Sequence, residues 1–186
     1  MILTGNTVKS LLLADIWKSN TNPSNLHFNP NSVDVTLSPY IYECKEQSGV
    51  LDPYTSNPED FYELRHIFTY EINPQQFILA SVNETFHTIE PVDGKYFTQI
   101  YDGRSTIARL GLLTHVSAGY GDYGFDGAFT LEIVNNSPFK IKLHAGMRIG
   151  QIYFEQLDSA APSQIYQGYN HSNGIPGLPR LGKDRF

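Results

Sequence analysis

"AGYGDYGFDGAFTLEI", residues 118–133, decides how the chain is read. Glycines at 119, 121, 124 and 127 alternate with aromatics and with Asp122 and Asp126, and the run then turns into FTLEI. Glycines so spaced suit a tight β-hairpin whose backbone comes close to a ligand, because they tolerate left-handed backbone and carry no Cβ. Asp122 and Asp126 suit turns, where a short carboxylate accepts from the backbone two residues on. In the strand that follows, two-residue alternation sends Leu131 and Ile133 to one sheet face. Thr130, Glu132 and Val134 take the other. A carboxylate on such a face is ordinarily solvated. If the face is a pocket, loss of water raises its pKa toward that of a general acid/base.

Outward from this stretch, short alternating segments recur: SVDVTLSPYIYEC, HIFTYEI, QFILASV, TFHTIE, KYFTQIY, THVSA, FKIKL and RIGQIYFEQL. Each reads as a strand, with breaks near Pro74, Asn83 and Gly94. Residues 4–18, TGNTVKSLLLADIWK, read as a helix, with Val8, Leu11, Leu12 and Ile16 at helical spacing and Asn6 as the cap. Residues 19–32 are turn chemistry, and the polar region 46–65, with Pro53 and Pro58, reads as a surface loop. One early helix followed by short strands predicts a mostly β fold, a barrel or a double sheet. The last twenty residues carry no apolar period, so they are expected to be flexible or to order over a ligand.

The 186 residues suit one domain. A net charge of −6 argues against a general nucleic-acid or anionic-membrane surface, each of which needs a basic face. An anionic small ligand would need locally concentrated arginine. Cys44 is the single cysteine, which excludes an internal disulfide and a thiolate zinc cluster within one chain. MILTGNTVKS lacks the basic start and apolar run of a secretory leader, and no apolar run approaches the length of a membrane span. The expectation is a soluble, intracellular chain.

GRSTIAR, residues 103–109, offers that arginine. With Ser105 as the cap of a short helical turn, Arg109 lies along the same face and Arg104 adds a second guanidinium. The N–H groups of Gly103 and Ser105 sit at the positive end. This is an anion cradle or, equally, a capped turn with solvated arginines. His115, on the strand segment preceding Glu132, reads as a structural histidine or as part of the same site.

Taken together and in order, NPNSVDVTL (29–37), FILAS (77–81), GRSTIARLGL (103–112), HVSAGYGDYGFDGAFTLEIVN (115–135) and AGMRIGQIYFEQ (145–156) resemble the dCTP deaminase family of the trimeric dUTPase-like superfamily. The likeness runs over nearly the whole chain. It implies a homotrimer of distorted β-barrels with active sites between subunits, Mg²⁺ carried on the nucleotide triphosphate, and no zinc. On this likeness residues 1–166 form the barrel domain, and residues 167–186 a flexible tail that closes over the nucleotide. Ser105, Arg109 and the backbone of Ala118 would position a water at C4 of cytosine, near His115. Glu132 would take that water's proton and pass it to the leaving amine. Arg104 would hold phosphate, Asp122 the deoxyribose 3′-hydroxyl, and Tyr169 would cover the triphosphate. The implied setting is the cytoplasm, or that of the host if the chain is viral.

Two branches of that family differ here. Ala118-Gly119-Tyr120 and Gln151 resemble members that carry dCTP through dUTP to dUMP and pyrophosphate, rather than members that only deaminate. In that second step Asp122 would orient a water toward the α-phosphate. A dUTPase without deamination, or a non-catalytic nucleotide-binding trimer, are the alternatives. Two departures stand out: Gly121 replaces an apolar branched residue that packs on the sugar, and Gly168-Tyr169-Asn170 lacks a lysine near the phosphates. Arg180 or Lys183 would have to compensate.

Overall fold

The alternation read in the sequence exists because two sheets share one apolar layer. The computed structural model describes residues 1–46, 49–158, 164–170 and 172–182. In chain order the elements are α1 (Gly5–Leu13), β1 (Lys18–Ser19), β2 (Val33–Thr36), β3 (Tyr40–Cys44), β4 (Tyr62–His66), β5 (Thr69–Ile72), β6 (Phe77–Ser81) and β7 (Phe86–His87). They continue with β8 (Phe97–Gly103), α2 (Ser105–Ala108), β9 (Leu112–Leu113), β10 (Tyr120–Gly121), β11 (Thr130–Asn135), β12 (Ile141–His144) and β13 (Arg148–Gln156). One sheet has the order β10-β8-β13-β2 and the other β4-β3-β6-β11-β9; β1 pairs with β7 and β12 with β5. The fold is mostly β, as the strand periodicity requires.

The core lies between the two sheets. Val33, Val35, Ile78, Leu131, Ile133, Ile152 and Phe154 are fully buried there, and each such side chain contributes roughly 1.5–3 kcal/mol. Trp17 closes one end of the layer. Its ring packs 5.2 Å from that of Phe154 and 5.5 Å from that of Phe97, and its indole N–H donates to the Glu90 carbonyl at 2.9 Å.

Several expectations need correcting. A closed barrel is not formed among the described residues: β10 and β2 are the edges of one sheet, β4 and β9 those of the other. Pairing ends early because β9 and β10 are only two residues long, and the sheets meet through the isolated bridge Leu37↔Val82. The first helix is shorter than residues 4–18. Thr4, not Asn6, caps it by accepting from the Thr7 N–H at 3.3 Å, and Asp15 ends it in the left-handed region at φ 55°. Ile16 is therefore exposed, while Val8, Leu11 and Leu12 remain buried. The region 46–65 is not all loop, since Tyr62–His66 pairs with β3. As an edge strand with mostly exposed side chains it carries polar residues that hide its period. THVSA forms no strand.

The glycine-rich stretch is not a hairpin either. Tyr120–Gly121 pairs with β8 in one sheet, and the chain then crosses to β11 in the other. The turn between them uses Gly124 at φ 87° and a Phe125 N–H donated to the Asp122 carbonyl at 2.9 Å. Close packing explains Gly121. A Cβ there would lie 2.9 Å from Cζ of Phe129, 3.2 Å from the Gln99 carbonyl oxygen and 3.2 Å from Phe125. The two phenylalanines occupy the volume a branched side chain would need.

The described part of the C-terminal segment packs on this crossing. Ser172 accepts from the Ala128 N–H and donates its hydroxyl to the Ala128 carbonyl at 2.8 Å. The Gly177 N–H donates to Thr130 Oγ1 at 2.8 Å, and Ser38 donates its hydroxyl to the Gly174 carbonyl. The Gly182 N–H reaches the Pro53 carbonyl at 2.9 Å. Replacing Gly121 with valine forces the two phenylalanines apart. The expected cost is about 1–3 kcal/mol of unfolding free energy, read from urea denaturation.

Candidate active site

β11 pairs with β6 so that Glu132 lies opposite Leu79 and Thr130 opposite Ser81. The face carrying Thr130 and Glu132 is half-buried, and it floors a cavity of about 460 Å³. Phe77 and Leu79 of β6, Phe125 and Phe129 of the crossing, Ala118, Tyr120 and Tyr62 form its walls. Tyr166, Tyr169, Gly177 and Pro179 of the C-terminal segment border it. One oxygen of the Glu132 carboxylate, Oε2, is buried there without a hydrogen-bond partner among the described residues. A desolvated carboxylate oxygen with no donor of its own is costly to keep, which marks it for a ligand or water.

Behind this cavity stands Tyr101, 1% exposed, with its ring 6.1 Å from that of Phe129 and 5.3 Å from that of His115. Burial pushes its phenol pKa far up; the charges of Asp102 and Glu132 add to the rise and Thr114 opposes it. The hydroxyl fits only because residue 150 is glycine: a Cβ there would lie 2.2 Å from it. Gly119 is held as tightly, since its Cβ would lie 2.6 Å from the Tyr101 carbonyl oxygen and 3.1 Å from Cε1 of His115. His115 turns Nε2 toward Asp102 Oδ1 at 3.9 Å, and its Nδ1 is buried against Gly119 without a partner among the described residues.

A second concavity, of about 470 Å³, is polar. Asn29, Asp34, Asp102, Gly103, Arg104, Ser105, Thr106 and Gln151 line it. Ser105 does not cap the turn that follows: α2 starts at Ser105, and Arg104 occupies the cap position without a side-chain bond to the helix. Asp34 Oδ2 draws Nη1 of Arg104 to 3.1 Å. Gln151 accepts from the Ser32 hydroxyl at 2.7 Å and donates to the Gly103 carbonyl at 3.3 Å. A third concavity, of about 940 Å³, holds Asp122 with Tyr120, Tyr123, Tyr166 and Gln167.

One chain thus brings Glu132, Ala118, Tyr120 and Tyr169 into one cavity, with Gly119 and His115 behind it. Arg104, Ser105 and Gln151 lie in a second concavity and Asp122 in a third. Arg109 is the C-cap of α2 and is not among the residues lining any of these three. Arg180 stacks its guanidinium 4.5 Å over the Tyr169 ring, and the Arg180 backbone N–H donates to the Tyr169 hydroxyl at 2.8 Å. Lys183 lies outside the described residues. Among the described residues no group of three or more His, Cys, Asp or Glu side chains is placed to hold a metal ion.

Sequence reasoning missed Tyr101, Asp34, Tyr62 and the Phe125–Phe129 pair. Only Asp34 carried a local signal, a charge between Val33 and Val35 in a strand buried on both faces.

The fold is shared with the solved 2′-deoxycytidine 5′-triphosphate deaminase from Agrobacterium tumefaciens, at a TM-score of 0.63 and 18% identity. That likeness covers 84% of this chain and 47% of the other, so this chain spans about half the length of that protein. Residues 2–157 match the dCTP deaminase-like family, and the chain belongs to it. A Dictyoglomus turgidum protein named "dCTP deaminase, dUMP-forming" is 34% identical over 142 residues, 74% of this chain and 71% of the relative. A Cytophaga hutchinsonii protein of the same name is 32% identical over 179 residues, 94% of each. The resemblance read in the sequence is borne out.

Asp34 is the buried member of the arginine cluster, and removing it leaves Arg104 without its counter-charge. Asp34→Ala is expected to lower stability by roughly 2 kcal/mol, reduced from a fully buried pair because the arginines are partly solvated, as a calorimetric melt would read.

Proposed function

We propose that this chain deaminates dCTP to dUTP and ammonia and then hydrolyses dUTP to dUMP and pyrophosphate. The observation that carries the reading is the buried Oε2 of Glu132, without a partner among the described residues, at the floor of an aromatic-lined cavity. In this reading cytosine enters that cavity with C4 facing Glu132. The carboxylate takes a proton from a water, and the hydroxide so formed adds to C4. Glu132 then gives that proton to the exocyclic nitrogen. The C–N bond breaks and ammonia leaves; the remaining hydroxyl becomes the uracil carbonyl as its proton is relayed to N3, which cytosine leaves unprotonated and uracil carries as N–H. Apolar walls keep bulk water away and strengthen every charge interaction inside.

Ser105, Arg109 and the Ala118 backbone are the groups to position that water. A single chain keeps Ser105 in a concavity separate from Glu132, which supports a site completed by a neighbouring copy in a homotrimer. Arg104, Gln151, Tyr169 and Arg180 are assigned to the triphosphate, whose Mg²⁺ arrives as part of the substrate and needs no protein cluster to hold it. Asp122, with Gly119 and Tyr120 beside it, is assigned to the deoxyribose. In the second step it orients a water that attacks the α-phosphorus, expelling pyrophosphate. The name "dUMP-forming" carried by the relatives supports this second step. No described helix is long and apolar enough to cross a membrane, and the reading places the enzyme in the cytoplasm, or that of a host.

Glu132→Gln keeps the side-chain volume and removes the base. Ammonia release from dCTP should fall by at least about a thousandfold with an unchanged melting temperature; a wild-type chain that releases no ammonia from MgdCTP ends this reading. Chromatography of products separates the two steps. dCTP and dUTP, supplied separately, should both end as dUMP with one pyrophosphate each, whereas accumulation of dUTP would restrict the chain to deamination.

A further inference from the structure

Arg148, the first residue of β13, belongs to no role assigned so far. Its Nη1 lies 3.1 Å from Oδ2 of Asp34, the same oxygen that Arg104 Nη1 approaches at 3.1 Å. Asp34 is held in turn: Asn29 donates to its Oδ1 at 2.7 Å, and His27 Nε2 stands 3.9 Å from Oδ2. The Asp34 side chain is 2% exposed, while those of Arg104 and Arg148 are 27% and 48% exposed. A buried carboxylate therefore anchors two partly exposed guanidiniums: Arg104 lines the groove with Ser105, Thr106 and Gln151, and Arg148 meets it at the shared Asp34 oxygen. Asp102, the other acid of this groove, is 63% exposed and accepts from the Gly103 N–H.

One carboxylate cannot neutralise two guanidiniums, and one positive charge is left over at the anchor. Each guanidinium has five N–H donors in a fixed plane, and the Asp34 contact uses one nitrogen of each. Such a pair, already ordered by a buried partner, loses little side-chain entropy when it grips an anion, and its geometry matches phosphate oxygens. We infer that Arg148 is a second phosphate-binding residue: Arg104 and Arg148, splayed from Asp34, hold the triphosphate of the pyrimidine nucleotide. This rests on the function proposed above and adds to it a residue on β13, outside the GRSTIAR segment.

The test is a steady-state comparison of the full-length chain with Arg148→Gln and Arg148→Lys. The glutamine variant should raise KM for MgdCTP about tenfold, the loss of one charge-assisted contact, with kcat within about twofold. Inhibition by inorganic tripolyphosphate should weaken by a similar factor, while inhibition by deoxycytidine, which has no phosphate, should stay unchanged. Arg148→Lys, keeping the charge but not the planar fork, should fall between. Unchanged KM and tripolyphosphate inhibition would overturn the inference, and so would equal losses in kcat and in deoxycytidine affinity, which mark a merely structural residue. If the glutamine variant does not fold, the lysine variant decides through the same KM and tripolyphosphate readings. If the wild-type chain does not turn over dCTP, the proposed function fails on its own. Calorimetric titration of tripolyphosphate into wild type and variant then still decides whether Arg148 binds phosphate.

Discussion

The antiparallel pairing of β11 with β6 is the constraint on which the rest of the molecule depends. Because side chains alternate along a strand, one register decides both faces at once. Leu131 and Ile133 go into the apolar layer, and Thr130 and Glu132 go under the cavity. A slip by one residue would put the carboxylate in the core and two large apolar side chains in the cavity. The burial that stabilises the sheet therefore also orients the acid, and stability and the geometry of the candidate site are one specification.

Around that strand, close approach of backbone to aromatic rings does the shaping. Gly121 lets β10 lie against Phe125 and Phe129, Gly119 lets the chain pass Tyr101 and His115, and Gly150 makes room for the Tyr101 hydroxyl. A side chain at any of the three would displace a wall of the cavity or the layer behind it. The described C-terminal residues complete the enclosure by hydrogen-bonding Ala128 and Thr130 on the crossing and on β11 itself. Electrostatics follow a second organiser, Asp34, which fastens Arg104 and, at the start of β13, Arg148. An apolar cavity with an acid and a polar groove with an arginine are complementary halves, and nothing among the described residues of one chain merges them.

Much of this was legible in the chain. Strand periodicity announced a mostly β fold, and the resemblance carried by GRSTIAR and by the stretch around Glu132 announced the family. What misled was local. Tyr62–His66 is polar because an edge strand faces water, so its period was invisible. Thr4 caps the first helix in place of Asn6, since the helix start is tied to the distant Pro30, whose carbonyl accepts from the Gly5 N–H. The glycines at 119, 121 and 124 read as a hairpin, yet they serve a crossing between sheets. Glycine spacing reports backbone freedom and not the partner the freedom is used against.

The sequence by itself determined the class of fold, the family, and the face of β11 on which Glu132 stands, because two-residue alternation is a property of the strand alone. Only the tertiary structure decided that this face is a cavity and not solvent, that a buried phenol stands behind it, and that Arg104 shares its carboxylate with Arg148. Each of these depends on residues far apart in the chain meeting through packing, and the reach of a side chain across a sheet is not written in the spacing along a strand.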